Sequence, residues 1–141
     1  ARQFMWKFGI NYGHGTGHGV GHFLNVHEGP HQFRMNYMPA LLLPGMTVTN
    51  EPGIYKAGKH GVRTENTMLI VKSKETEFGA FYKFEPLTLC PIDKEAILPE
   101  MLSYEEKQWL NNYHSLVYDR LNASLNTDEQ AWLKEATSPI E

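Results

Sequence analysis

Residues Tyr12–Pro30 read YGHGTGHGVGHFLNVHEGP: four histidines and five glycines before the closing Gly29-Pro30. Glycine at this density tolerates positive φ and lets backbone approach closely, so residues 13–21 read as a loop. His14 and His18 are four apart. That spacing aims two imidazoles at one metal when it lies on a helix, and this stretch is too glycine-rich to form one. The next residues, HFLNVHEG, alternate. Phe23, Asn25 and His27 fall on one face and Leu24, Val26 and Glu28 on the other, which predicts a strand.

Upstream, Phe4, Met5, Phe8 and Ile10 form one apolar flank, as on a helix tail ending near Gly9 or Gly13. A helix that starts so abruptly leads us to expect a piece of a longer polypeptide. Downstream, Pro30, Pro39, Pro44 and Gly45 break residues 29–45 into loop. MTVTNEPGIY from Met46 predicts a second strand and KAGKHG a turn. VRTENTMLIV, Val62 to Val71, predicts a third strand antiparallel to the second. A charged turn is expected over Lys72–Glu77, then a fourth strand, FYKFEPLTLCPI, interrupted by Pro86.

The character changes near Lys94, where the chain turns helical. Ser103 and Glu106 form a capping-box signature. Trp109, Leu110, Tyr113, Leu116, Val117 and Leu121 recur at steps of three and four on one stripe. A second helix from Thr127 carries Trp132, Leu133 and Ala136 and stops before Pro139. The reading is α+β, with residues 1–93 as one part and 94–141 as a helical extension.

With 141 residues, 41% of them hydrophobic and 21% charged, the chain suits a soluble globular domain. A net charge of −3 with scattered Lys and Arg offers no footprint for nucleic acid or an anionic membrane. No apolar run approaches the roughly 20 residues of a membrane span. The single Cys90 precludes an internal disulfide framework and fits a reducing compartment.

The acids gain meaning from strand alternation. Thr47, Thr49 and Glu51 point one way on the second strand, and Arg63, Glu65 and Thr67 share a face of the third. Pairing through the intervening turn brings Glu51 and Glu65 together. Adjacent carboxylates repel unless a proton or cation sits between them. With a histidine from the glycine-rich loop, such a group suits Mn, Co, Fe or Zn held by mixed imidazole and carboxylate. Glycine-rich loops with histidines are also plain turns, and a strand Glu is usually solvated. From spacing alone both readings stand.

HGTGHGVGHFLNVHEGP, MTVTNEPGIY and GVRTENTMLIV, in this order, resemble the C-terminal half of the catalytic domain of the Xaa-Pro aminopeptidases (aminopeptidase P). These are pita-bread metallopeptidases of the M24 family, with a curved antiparallel sheet flanked by helices. FEPLTLCPID, LSYEEKQWLNNYH and WLKEATSPI resemble the C-terminal extension of the longer, cytosolic-type members, which implies a cytoplasmic protein. The resemblance implies a five-ligand site for two metals, most often Mn²⁺, with Zn²⁺ or Co²⁺ as options. Three ligands carry over: His18, Glu51 and a bridging Glu65. It also implies that His14 lies at the substrate side, that His27 contacts the peptide carbonyl or transition state, and that Arg63 orients the ligands. The implied substrates are peptides with proline second, and the implied assembly is a homodimer built through the C-terminal part.

The family's two Asp ligands have no counterpart here, because Asp93, Asp119 and Asp128 all follow the last ligand-bearing strand. The expectation is therefore an incomplete site, binding metal weakly or singly, on a chain inactive by itself. Two other readings compete: a prolidase-type dipeptidase, and a non-catalytic pita-bread module that binds a partner. Keeping His18, Glu51 and Glu65 with His14, His27 and Arg63 argues against a pure scaffold. His22, His31 and His60 are expected at the surface or in turns, and His114 to be structural or exposed. Cys90 is expected to be buried and inert, and the Trp109/Trp132 stripe to be core or interface.

Overall fold

Turn chemistry and a proline set the strand plan. The computed structural model describes residues 1–141, which divide into two units, Ala1–Thr88 and Leu89–Glu141. The first unit opens with α1 (Gln3–Trp6), whose chain turns off at Gly9 with φ +67°. Its expected apolar flank is not buried: Phe4 and Phe8 are exposed. Seven strands follow: β1 (Gly17–His18), β2 (Gln32–Phe33), β3 (Thr47–Asn50), β4 (Gly53–Lys56), β5 (His60–Arg63), β6 (Asn66–Thr76) and β7 (Gly79–Pro86). All pairings are antiparallel: β1 with β2, β4 with β5, and β3-β6-β7 in one sheet.

The second and third predicted strands do pair, but each is broken in two. β3–β6 ends at Asn50↔Asn66 and β4–β5 begins at Gly53↔Arg63. Between the ladders lie Glu51-Pro52 on one side and Thr64-Glu65 on the other. Pro52 has no N–H to give a ladder, which explains the interruption. Counting through the gap sets Glu51 opposite Glu65.

Three strand expectations are corrected. His22–Gly29 is not a strand: Leu24 has φ +65°, and the hydrogen bonds Leu24 N to Gly21 O (2.8 Å) and Gly21 N to Asn25 O (2.9 Å) close a turn. Alternation there has no neighbouring strand to pair with, and residues 22–30 are exposed. Lys72–Glu77 is not a turn either. β6 runs to Thr76 with a register shift between Lys72 and Lys74, and reverses at Glu77-Phe78 before Gly79 at φ +112°. The fourth strand ends at Pro86, after which the amides of Leu87 and Thr88 both turn to Thr67 O.

The core of the first unit is small: Tyr12, Val48 and Ile70 are its buried apolar residues. Val48 lies on the face opposite Thr47 and Thr49, as the period of two requires. A cleft of about 580 Å³ lies open among Trp6, Phe33, Met35, Met68 and Phe84.

The second unit contains two 3₁₀ turns, Lys94–Ala96 and Pro99–Met101, then α2 (Tyr104–Leu121), a third such turn at Asn122–Ser124, and α3 (Thr127–Ala136). The capping box forms as expected: Ser103 Oγ accepts from Glu106 N at 3.2 Å, and Glu106 Oε2 accepts from Ser103 N at 2.8 Å. Asn126 and Glu129 repeat the device on α3. Leu110, Tyr113, Val117 and Leu133 make the core. The tryptophans are not part of it, Trp109 being 56% and Trp132 62% exposed. Cys90 is exposed as well, contrary to expectation. His114 is fully buried and structural: its Nε2 accepts the Ile92 amide at 3.0 Å. No helix is long and apolar enough to cross a membrane.

Candidate metal centre

Close backbone approach builds this centre. A Cβ on Gly17 would collide with the Thr49 carbonyl, so only glycine lets β1 lie against β3. That contact delivers His18 to Thr49. The His18 amide donates to Thr49 Oγ1 at 2.9 Å, and Thr49 Oγ1 lies 3.2 Å from Glu51 Oε1. The Glu51 amide donates to Thr16 O at 2.7 Å. One threonine on the face of Glu51 thus ties both side chains to the scaffold.

His18 Nδ1 lies 2.9 Å from Gly19 O. A carbonyl only accepts, so Nδ1 carries the hydrogen and Nε2 carries the lone pair in the neutral ring. That Nε2 lies 3.1 Å from Glu51 Oε1. A lone pair facing a carboxylate oxygen at this range is repulsive unless a proton or metal cation stands between them. Glu65 completes the group: one ligand atom from each of His18, Glu51 and Glu65 lies within 4.8 Å of the others. Arg63 sits against the acids, its Nε 3.3 Å from Glu65 Oε2 and 3.9 Å from Glu51 Oε2. The donor set of one imidazole and two carboxylates fits a borderline or hard divalent ion.

The centre opens into a cleft of about 540 Å³ whose walls include His14, His18, His27, His31, Glu51 and Arg63. His27 arrives on the irregular loop rather than a strand, its ring centroid 4.3 Å from that of His18. His14 lines the cleft but is not one of the three grouped side chains. Four of the sequence-derived candidates, His18, Glu51, Glu65 and Arg63, therefore meet directly, with His14 and His27 beside them. His22 is exposed and touches Phe23, and His60 is exposed on β5. His31 overturns its surface expectation. It is 7% exposed, lies over Gly19 and bonds Thr47 O through Nε2 at 2.7 Å. Sequence reasoning missed its burial, and missed Thr49. The period-two match of Thr49 to Glu51 was the available signal for the latter.

The profile of metallopeptidase family M24 matches residues 1–72, and that of the C-terminal region of peptidase M24 matches residues 80–140. The chain belongs to metallopeptidase family M24. Within M24 it is 45% identical to a probable Xaa-Pro aminopeptidase P of Coprinopsis cinerea, over 99% of this chain and 24% of the relative. It is 47% identical to aminopeptidase P1 of Arabidopsis thaliana, over 99% of this chain and 22% of that protein. Among solved structures, the X-prolyl aminopeptidase of Caenorhabditis elegans, described as a cytosolic enzyme with a di-nuclear active site, superposes with a TM-score of 0.89. It is 40% identical and covers 99% of this chain, which in turn covers 23% of it. The chain thus spans about a quarter of the length of these M24 relatives. The match bears out the pita-bread reading and the aminopeptidase P resemblance.

Proposed function

We propose that this chain carries the His/Glu/Glu side of a dinuclear metal centre in a cytoplasmic aminopeptidase. The reaction is hydrolysis of the bond between an N-terminal residue and a following proline. The observation that carries the reading is the His18 Nε2 lone pair facing Glu51 Oε1 at 3.1 Å, with Glu65 alongside. His18, Glu51 and Glu65 would hold the metal, with Mn²⁺ the first choice. When bound there, a divalent cation supplies Lewis-acid polarisation and an activated water at neutral pH.

The chain's own residues do the rest. Glu51 takes the proton of the attacking water and returns it to the departing proline nitrogen, which has no hydrogen of its own in the peptide. His27, exposed above His18, donates to the oxygen that becomes negative as the carbonyl turns tetrahedral. Arg63 keeps both glutamates aimed and offsets their charge. His14 lines the substrate side. The cleft wall is mainly imidazole, glycine and charge.

In this reading the 141-residue chain binds a single divalent ion and does not turn over peptide by itself. All three of its aspartates belong to the second unit, whereas His18, Glu51 and Glu65 belong to the first. The full-length enzyme is proposed to dimerise through its C-terminal part. The test is a Mn²⁺ titration of the chain and of Glu51→Ala, with hydrolysis of an Xaa-Pro-Pro peptide and an Xaa-Pro dipeptide. One bound Mn²⁺ lost in Glu51→Ala supports the reading. Binding unaffected by the substitution overturns the metal site. Turnover by the wild-type chain overturns its incompleteness, and preference for the dipeptide moves the substrate to the prolidase class.

A further inference from the structure

We infer that Tyr55 is a positioning residue for His14, holding the imidazole in one tautomer and one orientation at the edge of the cleft. One of its two bonds has a fixed direction. His14 Nδ1 lies 2.7 Å from Gly15 O, and a carbonyl only accepts, so Nδ1 is always protonated. His14 Nε2 lies 2.8 Å from the Tyr55 hydroxyl. In the neutral ring the phenol donates to Nε2. In the protonated ring the roles reverse, and the phenol oxygen accepts. Both arrangements keep both contacts, so the ring keeps one orientation.

The surroundings are shaped for this pair. Tyr55 stands on β4 with Gly53 two residues before it on the same face, and its cross-strand partner on β5 is Gly61. A Cβ at Gly53 would collide with the tyrosine ring, and one at Gly61 would meet its Cδ1 at 3.0 Å. Both neighbours on that face are therefore empty where the ring lies. On its other side His14 meets Tyr12, ring centroids 4.9 Å apart. Arg2, itself 8% exposed, binds the carbonyls of Tyr12 and His14 and sits 3.7 Å from the Tyr12 ring centroid. His14 is thus clamped from three directions, on a glycine-rich segment that would otherwise leave it free.

Only the functional meaning of this clamp rests on the cleft being a peptidase site. The clamp itself is tested without turnover. Long-range ¹H–¹⁵N correlation spectra of the full chain report the tautomer of His14, assigned with His14→Gln. Wild type is expected to show a single Nδ1–H tautomer with a hydrogen-bonded Nε2. In Tyr55→Phe the Nε2 resonance moves to that of a free imidazole nitrogen, while the His18 and His27 signals hold. Carbethoxylation of His14 accelerates roughly two- to tenfold relative to exposed His22 and His60, the factor set by one net hydrogen bond. Uniform 3-fluorotyrosine, nearly isosteric, strengthens the phenol donor and shifts Nε2 the opposite way, which serves if Tyr55→Phe perturbs folding. A mixed tautomer in wild type, or an Nε2 signal indifferent to both changes, overturns the proposal. A clamped His14 with no peptide hydrolysis leaves it standing and tells only against the peptidase reading.

Discussion

Thr49 and His114 show how single polar residues decide behaviour here. Thr49 Oγ1 accepts from His18 N and faces Glu51 Oε1, so Thr49→Val leaves a part-buried amide without its acceptor and the proposed ligand Glu51 untethered. We expect Mn²⁺ affinity to fall about 10–100-fold by calorimetric titration, the usual effect of losing a group that orients a ligand. His114 is the other case. Burial pushes its pKa below the ordinary 6.5, and the nearby Lys94 ammonium pushes the same way. Its Nδ1 has no partner, while Nε2 accepts the Ile92 amide. A lowered folded-state pKa means that the unfolded chain binds the proton first. Above about pH 6.5 both states are neutral and the stability is whole. As pH falls below 6.5 stability drops, until the folded-state pKa is reached. Urea melts of the second unit at pH 7.5 and 5.5 are expected to show this loss. In His114→Phe, which also leaves the Ile92 amide unpaired, the pH slope should shrink as overall stability falls.

At the level of elements, close approach and capping carry the testable weight. Gly17→Ala puts a Cβ into the Thr49 carbonyl, which is backbone and cannot swing aside. A loss of about 1–3 kcal/mol is expected on denaturation, together with loss of Mn²⁺ binding, because His18 is displaced with its strand. Ser103→Ala removes the acceptor that receives the Glu106 amide, and is expected to cost about 1 kcal/mol with no effect on metal. Much at this scale was legible beforehand. The capping box, the helical stripe and the pairing of the second and third strands follow from short-range rules. The strand predicted over His22–Gly29 failed because alternation describes a face, and a face needs a neighbour. With no strand alongside, those residues folded into the loop that brings His27 over His18. His31 was misjudged for a related reason: its burial depends on the empty Cα of Gly19 and the Thr47 carbonyl, which local sequence does not join.

For the whole molecule, two units with separate cores imply two separable responses. The first unit buries few apolar side chains and holds the proposed ligands His18, Glu51 and Glu65; the second has a helical core and holds His114. Differential scanning calorimetry is expected to resolve two transitions. Saturating Mn²⁺ should raise one, by the mass-action stabilisation of roughly 2.7 kcal/mol at a hundredfold excess over Kd, and chelator should reverse it. Lowering pH from 7.5 to 5.5 without metal should lower the other. A single transition moved equally by both treatments would contradict this division.

The sequence by itself determined the residue chemistry and its phase. Period-two alternation set Thr49 with Glu51 and Arg63 with Glu65, the spacing through the turn set the two acids opposite, and the motif order pointed to the M24 family. Only the tertiary structure decided that a lone pair of His18 meets Glu51, that Tyr55 reaches His14, and that Cys90 and the tryptophans lie exposed. The physical reason is range. Backbone periodicity acts between near neighbours along the chain. His18 and Glu51, or His14 and Tyr55, meet only after glycines have let distant strands close to backbone contact.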